Sequence, residues 1–319
     1  MLSDAVNQAG SVRSPNQVNP RQILSTEELG ILNERSNLKG LMRLGGHLAI
    51  LGISGYLWAT NLRNWPIAIP ALVVYGFGFA AMFAPLHECA HRTAFASNRL
   101  NDVVAWFAGL LSFYNSTFYR RYHKWHHRYT QIPGKDPELS DPKPSNLGEY
   151  LLELSGLTWW IGKVRGHLRV ALGQVKDYPF LPESAYAETI RSVRLQLWTY
   201  AAAIAISVAA GQPWAVFLYW VLPLAVGQPI LRFILLAEHT GCTDDENPLT
   251  NTRTTLTLFP LKFMMWNMPF HTEHHLYPSI PFHALPNAHE QLRTNFAHIE
   301  LGYVKVNRDI VSTFKQSAA

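Results

Sequence analysis

Four apolar runs, arranged in two pairs, constrain this chain more than anything else in it. They cover about residues 41–60, 67–86, 195–210 and 214–231, close to the roughly 20 residues an α-helix needs to cross a bilayer. Short turns close the pairs: Asn61-Leu-Arg-Asn-Trp-Pro66 joins the first two runs and Gly211-Gln-Pro213 the last two. Four crossings put both termini on one side. Of the 27 Lys and Arg residues, only Arg63 falls in either turn. The positive-inside bias therefore assigns the termini, the long 87–194 connection and the C-terminal part to the cytoplasm. The expected fold is an all-α integral membrane protein, with four transmembrane helices in two hairpins and a cytosolic helical cap. Its expected divisions are a cytosolic tail and short helix (1–40), a membrane domain (41–292) and a C-terminal tail (293–319). At 319 residues and 48% hydrophobic, the chain has ample apolar material for such a core.

Fourteen histidines are present, and eight of them fall in three clusters on the cytoplasmic side. His271-Thr-Glu-His274-His275 and His123-Lys-Trp-His126-His127 share one spacing, and His87-Glu-Cys-Ala-His91 adds an i, i+4 pair. On a helix, positions i, i+3 and i+4 lie on one face, so each cluster can present its imidazoles to a shared metal. A single HxxHH is equally readable as a hydrogen-bonded polar face. At this histidine frequency one such motif arises by chance roughly 0.03 times, so two copies and a pair together are not motif noise. Eight imidazoles exceed the shell of one zinc ion, and the count favours two metal ions in nitrogen-rich shells. His87 directly follows the second run, so the site should hug the bilayer.

Other segments are less specific. Residues 1–24 lack a charged n-region and an early apolar stretch, so no cleaved signal peptide is expected. Ser25-Thr-Glu-Glu28 matches a capping box and predicts a short helix to about Ser36. Residues 105–113 and 150–170 read as interfacial helices. The Pro-rich stretch 133–144 is a loop that either borders the site or, the favoured reading, is a solvated connector. Cys89 and Cys242, the only cysteines, suit a reducing compartment without a disulfide framework. Gly76, Gly78, Ala80 and Ala81 can narrow the second span beside a lipid chain or simply serve helix packing. The basic cytosolic face is either a topology signal or a patch for lipid phosphates or an acidic donor. Nucleic acid is not an expected partner.

The order HxxxH, HxxHH, HxxHH on a four-span background resembles the membrane fatty-acid desaturase superfamily, which includes alkane hydroxylases and carotenoid hydroxylases and ketolases. Residues 87–95, 123–130 and 267–278 look like its three boxes, and the resemblance extends over roughly residues 41–292. The family carries one further histidine after its last span, and Ala237-Glu-His239-Thr-Gly241 stands at the matching place. The resemblance thus implies nine ligands: His87, His91, His123, His126, His127, His239, His271, His274 and His275. Some relatives have a polar residue one turn before the extra histidine, where this chain has Leu235. Candidates to orient the ligand imidazoles are Glu88, Glu238, Glu273, Asn267 and His289, with solvated carboxylates the competing reading for the acids and a surface role the competing reading for His289 and its neighbour His283.

For function, the resemblance implies two non-haem irons, O2 as co-substrate and desaturation of a membrane lipid or lipid-linked acyl chain. No side chain removes hydrogen from an unactivated methylene; the protein's task is to hold metals, position the chain and exclude water. Loss of a second hydrogen gives an alkene, and hydroxyl rebound gives an alcohol, so a hydroxylase or ketolase is the alternative. No haem- or flavin-binding domain is apparent, which requires a separate electron donor of the ferredoxin or cytochrome b5 type with its reductase. The expected location is multi-pass, in the inner membrane for a bacterial source, with the site on the cytoplasmic side. Two other classes compete. Residues 87–91 match the zinc-protease HExxH with Glu88 as base, which leaves both HxxHH clusters unexplained. A metal transporter or store would place its ligands at mid-membrane, where only His47 lies; a lone histidine there is read as an interhelical hydrogen-bond partner.

Overall fold

The computed structural model describes residue 19 and residues 22–140 and 142–316; half of the expected N-terminal division 1–40 and the last three residues lie outside them. Helix α1 (Thr26–Leu32) opens on the capping box, with the Ser25 hydroxyl accepting from the Glu28 N–H and the Glu28 carboxylate accepting from the Ser25 N–H. It stops short of Ser36 because Ser36 caps the next helix instead, accepting from the Lys39 N–H. That helix, α2 (Asn37–Thr60), runs 24 residues to the first turn.

The second apolar run forms α3 (Trp65–Ala80) and α4 (Phe83–His91), separated at Ala81–Met82. Pro85 accounts for the break: its ring displaces the carbonyl four residues back, at Ala81. The chain still keeps its direction, so α4 carries His87 and His91 out of the apolar stretch. Helices α5 (Asn98–Ser112), α6 (Ser116–Tyr129), α7 (Leu147–Ser155) and α8 (Leu157–Ala171) follow, the last two covering the segment expected to be interfacial. Helix α9 (Tyr186–Ala209) starts well before the third apolar run. A π-turn at Phe217–Val221 leads into α10 (Leu222–His239). Pro223 frees nearby carbonyls there, and side chains from the first hairpin take them up: Tyr75 OH donates to Tyr219 O at 2.9 Å and Trp58 Nε1 to Leu218 O at 3.0 Å.

Two stretches, Trp65–His91 and Phe217–His239, are long and apolar enough to cross a membrane. Helices α2 and α9 also turn apolar side chains outward, including Leu41, Ile53 and Leu57 on one and Trp198, Ile204 and Ile206 on the other. The rest of the chain is α11 (Phe259–Met264), α12 (His271–Leu276), α13 (Leu285–Leu292) and α14 (Tyr303–Gln316). The all-α expectation needs one amendment, a two-stranded parallel sheet in which β1 (Thr254–Leu256) pairs with β2 (Ile299–Leu301).

Helices α3 and α10 meet backbone to backbone. A Cβ on Gly227 would lie 2.0 Å from the Gly76 carbonyl oxygen, and one on Gly76 would lie 2.3 Å from that of Pro223. Small residues here serve packing, which draws the two histidine-bearing helix ends together. His47 is fully buried beneath them. Its Nδ1 accepts from Trp266 Nε1 at 3.4 Å, and an indole can only donate, so Nε2 donates to Gly78 O at 2.9 Å.

Candidate metal centre

The nine histidines arrive on four helix segments: α4 supplies His87 and His91, α6 supplies His123, His126 and His127, α10 ends on His239, and α12 carries His271, His274 and His275. They gather into two groups. The ligand atoms of His87, His91, His123, His127 and His274 lie within 4.8 Å of one another, as do those of His126, His239 and His275. His271 joins the second group, with Nε2 3.2 Å from His239 Nε2 and 3.1 Å from His275 Nε2.

Each HxxHH is thereby divided between both groups. Adjacent residues on a helix point about 100° apart, so His126 and His127 turn to different centres, as do His274 and His275. The clusters interleave where a reading by cluster treats each as a unit.

The donor set fits metal. His127 Nε2 faces His123 Nε2 and His274 Nε2, both at 3.0 Å. A neutral imidazole has one N–H, so these nitrogens cannot all satisfy one another. Several others are buried with no partner at all: both nitrogens of His87, Nε2 of His91, and Nδ1 of His123, His127, His271 and His274. Unpaired buried nitrogens are costly, and a cation at the middle of each group would take up the lone pairs of the nitrogens that face it, leaving Nδ1 of His123, His127, His271 and His274 to carry the N–H. Two nitrogens bound at about 2.1 Å and near right angles to one ion lie roughly 3 Å apart, the spacing seen here. Burial, reinforced by neighbouring imidazoles, holds His123, His127, His271, His274 and His275 well below the ordinary 6.5. They are neutral and able to coordinate.

His126 differs. Burial pulls it down, but Glu138 and Asp136 outweigh that and raise it. Asp136 Oδ1 and Oδ2 lie 2.9 and 3.1 Å from His126 Nδ1, and the carboxylate is fixed by the N–H groups of Gln131 and Glu138. This pairing sets the ring so that Nε2 faces the second group. His239 is oriented in the same way, Nδ1–H donating to Asn251 O at 3.0 Å. Two more carboxylates stand close: Glu238 Oε2 is 3.4 Å from His271 Nε2, and Glu138 Oε2 is 3.6 Å from His126 Nε2.

Of the five residues expected to orient imidazoles, Glu238 alone contacts one of the nine. Glu88 is buried and accepts from Thr93 Oγ1 at 2.6 Å. Glu273 accepts from Thr254 Oγ1 at 2.5 Å and pairs with His289, so both pin α12 to β1 and α13. Asn267 donates to Phe282 O at 2.9 Å. The Pro-rich segment is no mere connector, since it delivers Asp136 and Glu138. An acidic pair within ten or so residues of an HxxHH was the available signal, because metal-bound histidines commonly lean on a carboxylate.

A model of the fatty acid desaturase family matches residues 63–307, a span that contains all nine histidines. The chain is 23% identical over 267 residues to the sn-1 oleoyl-lipid 12-desaturase of Picosynechococcus sp., covering 78% of this chain and 76% of that one. It is 26% identical to the sphingolipid delta(4)-desaturase of Candida albicans, covering 76% and 66% of the two chains. Identity is also 26% to the dihydrorhizobitoxine desaturase of Bradyrhizobium elkanii, covering 85% and 78%. With a match over most of its length and its histidines gathered for metal, this chain belongs to the fatty acid desaturase family and is a desaturase-type oxidoreductase.

Proposed function

We propose that the protein is a multi-pass membrane enzyme that uses dioxygen and external electrons to introduce a double bond into a lipid acyl chain at the cytoplasmic face. The observation that carries this reading is the pair of imidazole groups at the ends of two long apolar helices. Iron would be held by His87, His91, His123, His127 and His274 at one position and by His126, His239, His271 and His275 at the other. When bound, the irons supply dioxygen activation, which no side chain provides.

The chain's own residues supply the rest. Asp136 and the Asn251 carbonyl hold His126 and His239 in one tautomer. Burial keeps solvent from the donor set, and the apolar surfaces of α2, α3, α9 and α10 give lipid chains access from the bilayer. The balance is a CH2–CH2 unit, O2, two electrons and two protons giving CH=CH and two waters, so the reaction needs an electron donor, for which the ferredoxin or cytochrome b5 type is the proposed class. Four spans with all nine candidate ligands on the cytoplasmic side is the topology in keeping with the charge distribution.

Metal analysis of purified protein, with mass spectrometry of lipids from cells with and without the intact gene, tests the proposal. Two irons per chain and a gene-dependent alkene are expected. A gene-dependent alcohol would move the assignment to a hydroxylase; a single zinc, with peptide cleavage lost in Glu88→Gln, would replace it.

A further inference from the structure

Gln228, Arg232 and His239 lie at spacings of four and seven residues on α10, within about 40° of one another around the helix axis. The stripe they form leads from the apolar part of the helix to the second histidine group. Gln228 is fully buried, and neither end of its amide has a partner. Arg232 Nε is likewise buried and unpaired, while Nη2 donates to Tyr114 OH at 3.3 Å. Lys163, from the inner side of α8, brings its Nζ 3.7 Å from the centroid of the same Tyr114 ring. Trp159 Nε1 donates to Tyr114 OH at 3.0 Å, and the Arg232 guanidinium sits over the Trp159 ring.

Two cations therefore converge on one tyrosine. Neither forms an ion pair within 4 Å among the described residues; Glu138 acts on both cations, and Glu238 on Arg232, only from farther away. Burial, with the neighbouring Arg232 charge, pushes the Lys163 ammonium down to about 7. Two half-buried cations with no carboxylate in contact cost free energy that a bound anion recovers. Helix α8 turns Leu157, Ile161, Val164 and Leu168 outward, so the pair faces inward from a helix with a lipid-compatible surface.

We propose that Arg232 and Lys163 form an oxyanion-binding site that seats the acidic end of the substrate, a carboxylate or a phosphate, beside the second histidine group. Arg232 precedes His239 by seven residues, roughly 10 Å along the helix, so the carbon oxidised lies about that far from the acidic group. This rests on the desaturase reading for the reaction, but the binding site is testable without turnover.

The probes are decanoate, decyl phosphate and methyl decanoate, titrated calorimetrically into protein in nanodiscs of neutral lipid. The wild-type protein is expected to bind at least one anionic probe ten-fold or more tighter than the ester. Preference for decanoate identifies a carboxylate substrate, and preference for decyl phosphate a headgroup. Arg232→Gln is expected to abolish the preference, Lys163→Gln to reduce it and Arg232→Lys to retain it, with bound metal as the check on folding. Equal affinity for ester and anions in the wild type, or a preference that survives both Gln variants, overturns the site. Anion preference without any alkene product would instead remove the desaturase reading and leave the site standing; alkene formation with no anion preference would do the reverse.

Discussion

His126 Nδ1 lies 2.9 Å from Asp136 Oδ1, both side chains almost completely buried, across a loop rich in proline. The contact makes the segment read as a solvated connector part of the candidate metal site. Asp136→Asn keeps the volume but removes the charge that orients the ring. Metal affinity at the second group is expected to fall about 10- to 100-fold, seen as metal content dropping from two ions toward one. Undiminished content after dialysis would remove Asp136 from the site.

His239 tests whether the second group is functional. His239→Ala is expected to lower bound iron and abolish oxidation while the protein still inserts. His167→Ala should keep substantial activity, because its ring stacks on Phe113 and bonds the Lys163 carbonyl. His47→Ala should lose about 1–3 kcal/mol of stability through its orphaned partners yet retain metal. Normal turnover in His239→Ala would leave eight ligands.

At the crossing of α3 and α10, Gly227→Ala places a methyl carbon against backbone that cannot yield. Overpacking by about 1–3 kcal/mol or more is expected, read as a lower thermal midpoint in detergent. Gly52→Ala, with nothing within 4 Å of the added carbon, should instead be neutral or stabilising by up to about 1 kcal/mol. Equal midpoints for the two variants would mean that the helices do not pack so closely.

Acid should unfold the metal-free protein selectively. His123, His127, His271, His274 and His275 are held below 6.5 in the folded state, so below that pH the unfolded chain binds more protons than the folded one. Stability is then full above about pH 6.5 and declines as the pH falls. His126, which is raised, runs the other way: its contribution is present in acid and lost as pH rises, but it is outnumbered. Thermal midpoints of chelator-treated protein between about pH 5 and 8 provide the measurement. A midpoint that is flat, or that rises in acid, would contradict it.

Topology is open to reporter fusions. Fusions at Asn61 and Gln212 should score external and one at Ser140 cytoplasmic, as the distribution of Lys and Arg requires. A cytoplasmic score at either turn would overturn the four-span arrangement.

Histidine spacing and helical periodicity were enough to assemble eight of the nine candidate ligands, because i, i+3 and i+4 positions share a face wherever a helix forms; His239 stands in no such motif and was implied only by the family resemblance. Local chemistry also specified the Ser25 capping box and the two hairpin turns. The division of each HxxHH between two centres was beyond such reasoning: it depends on how α4, α6, α10 and α12 are rotated against one another, which is set by packing such as the Gly76–Gly227 contact. Glu273 and His289 were legible as polar neighbours of the last box, but only the path of α13 decided that they bond each other. Asp136 illustrates the same limit. Its sequence neighbourhood is a proline-rich loop like many others, and only the folded chain brings its carboxylate to His126, since through-space electrostatics and hydrogen bonds act on distance and not on position along the chain.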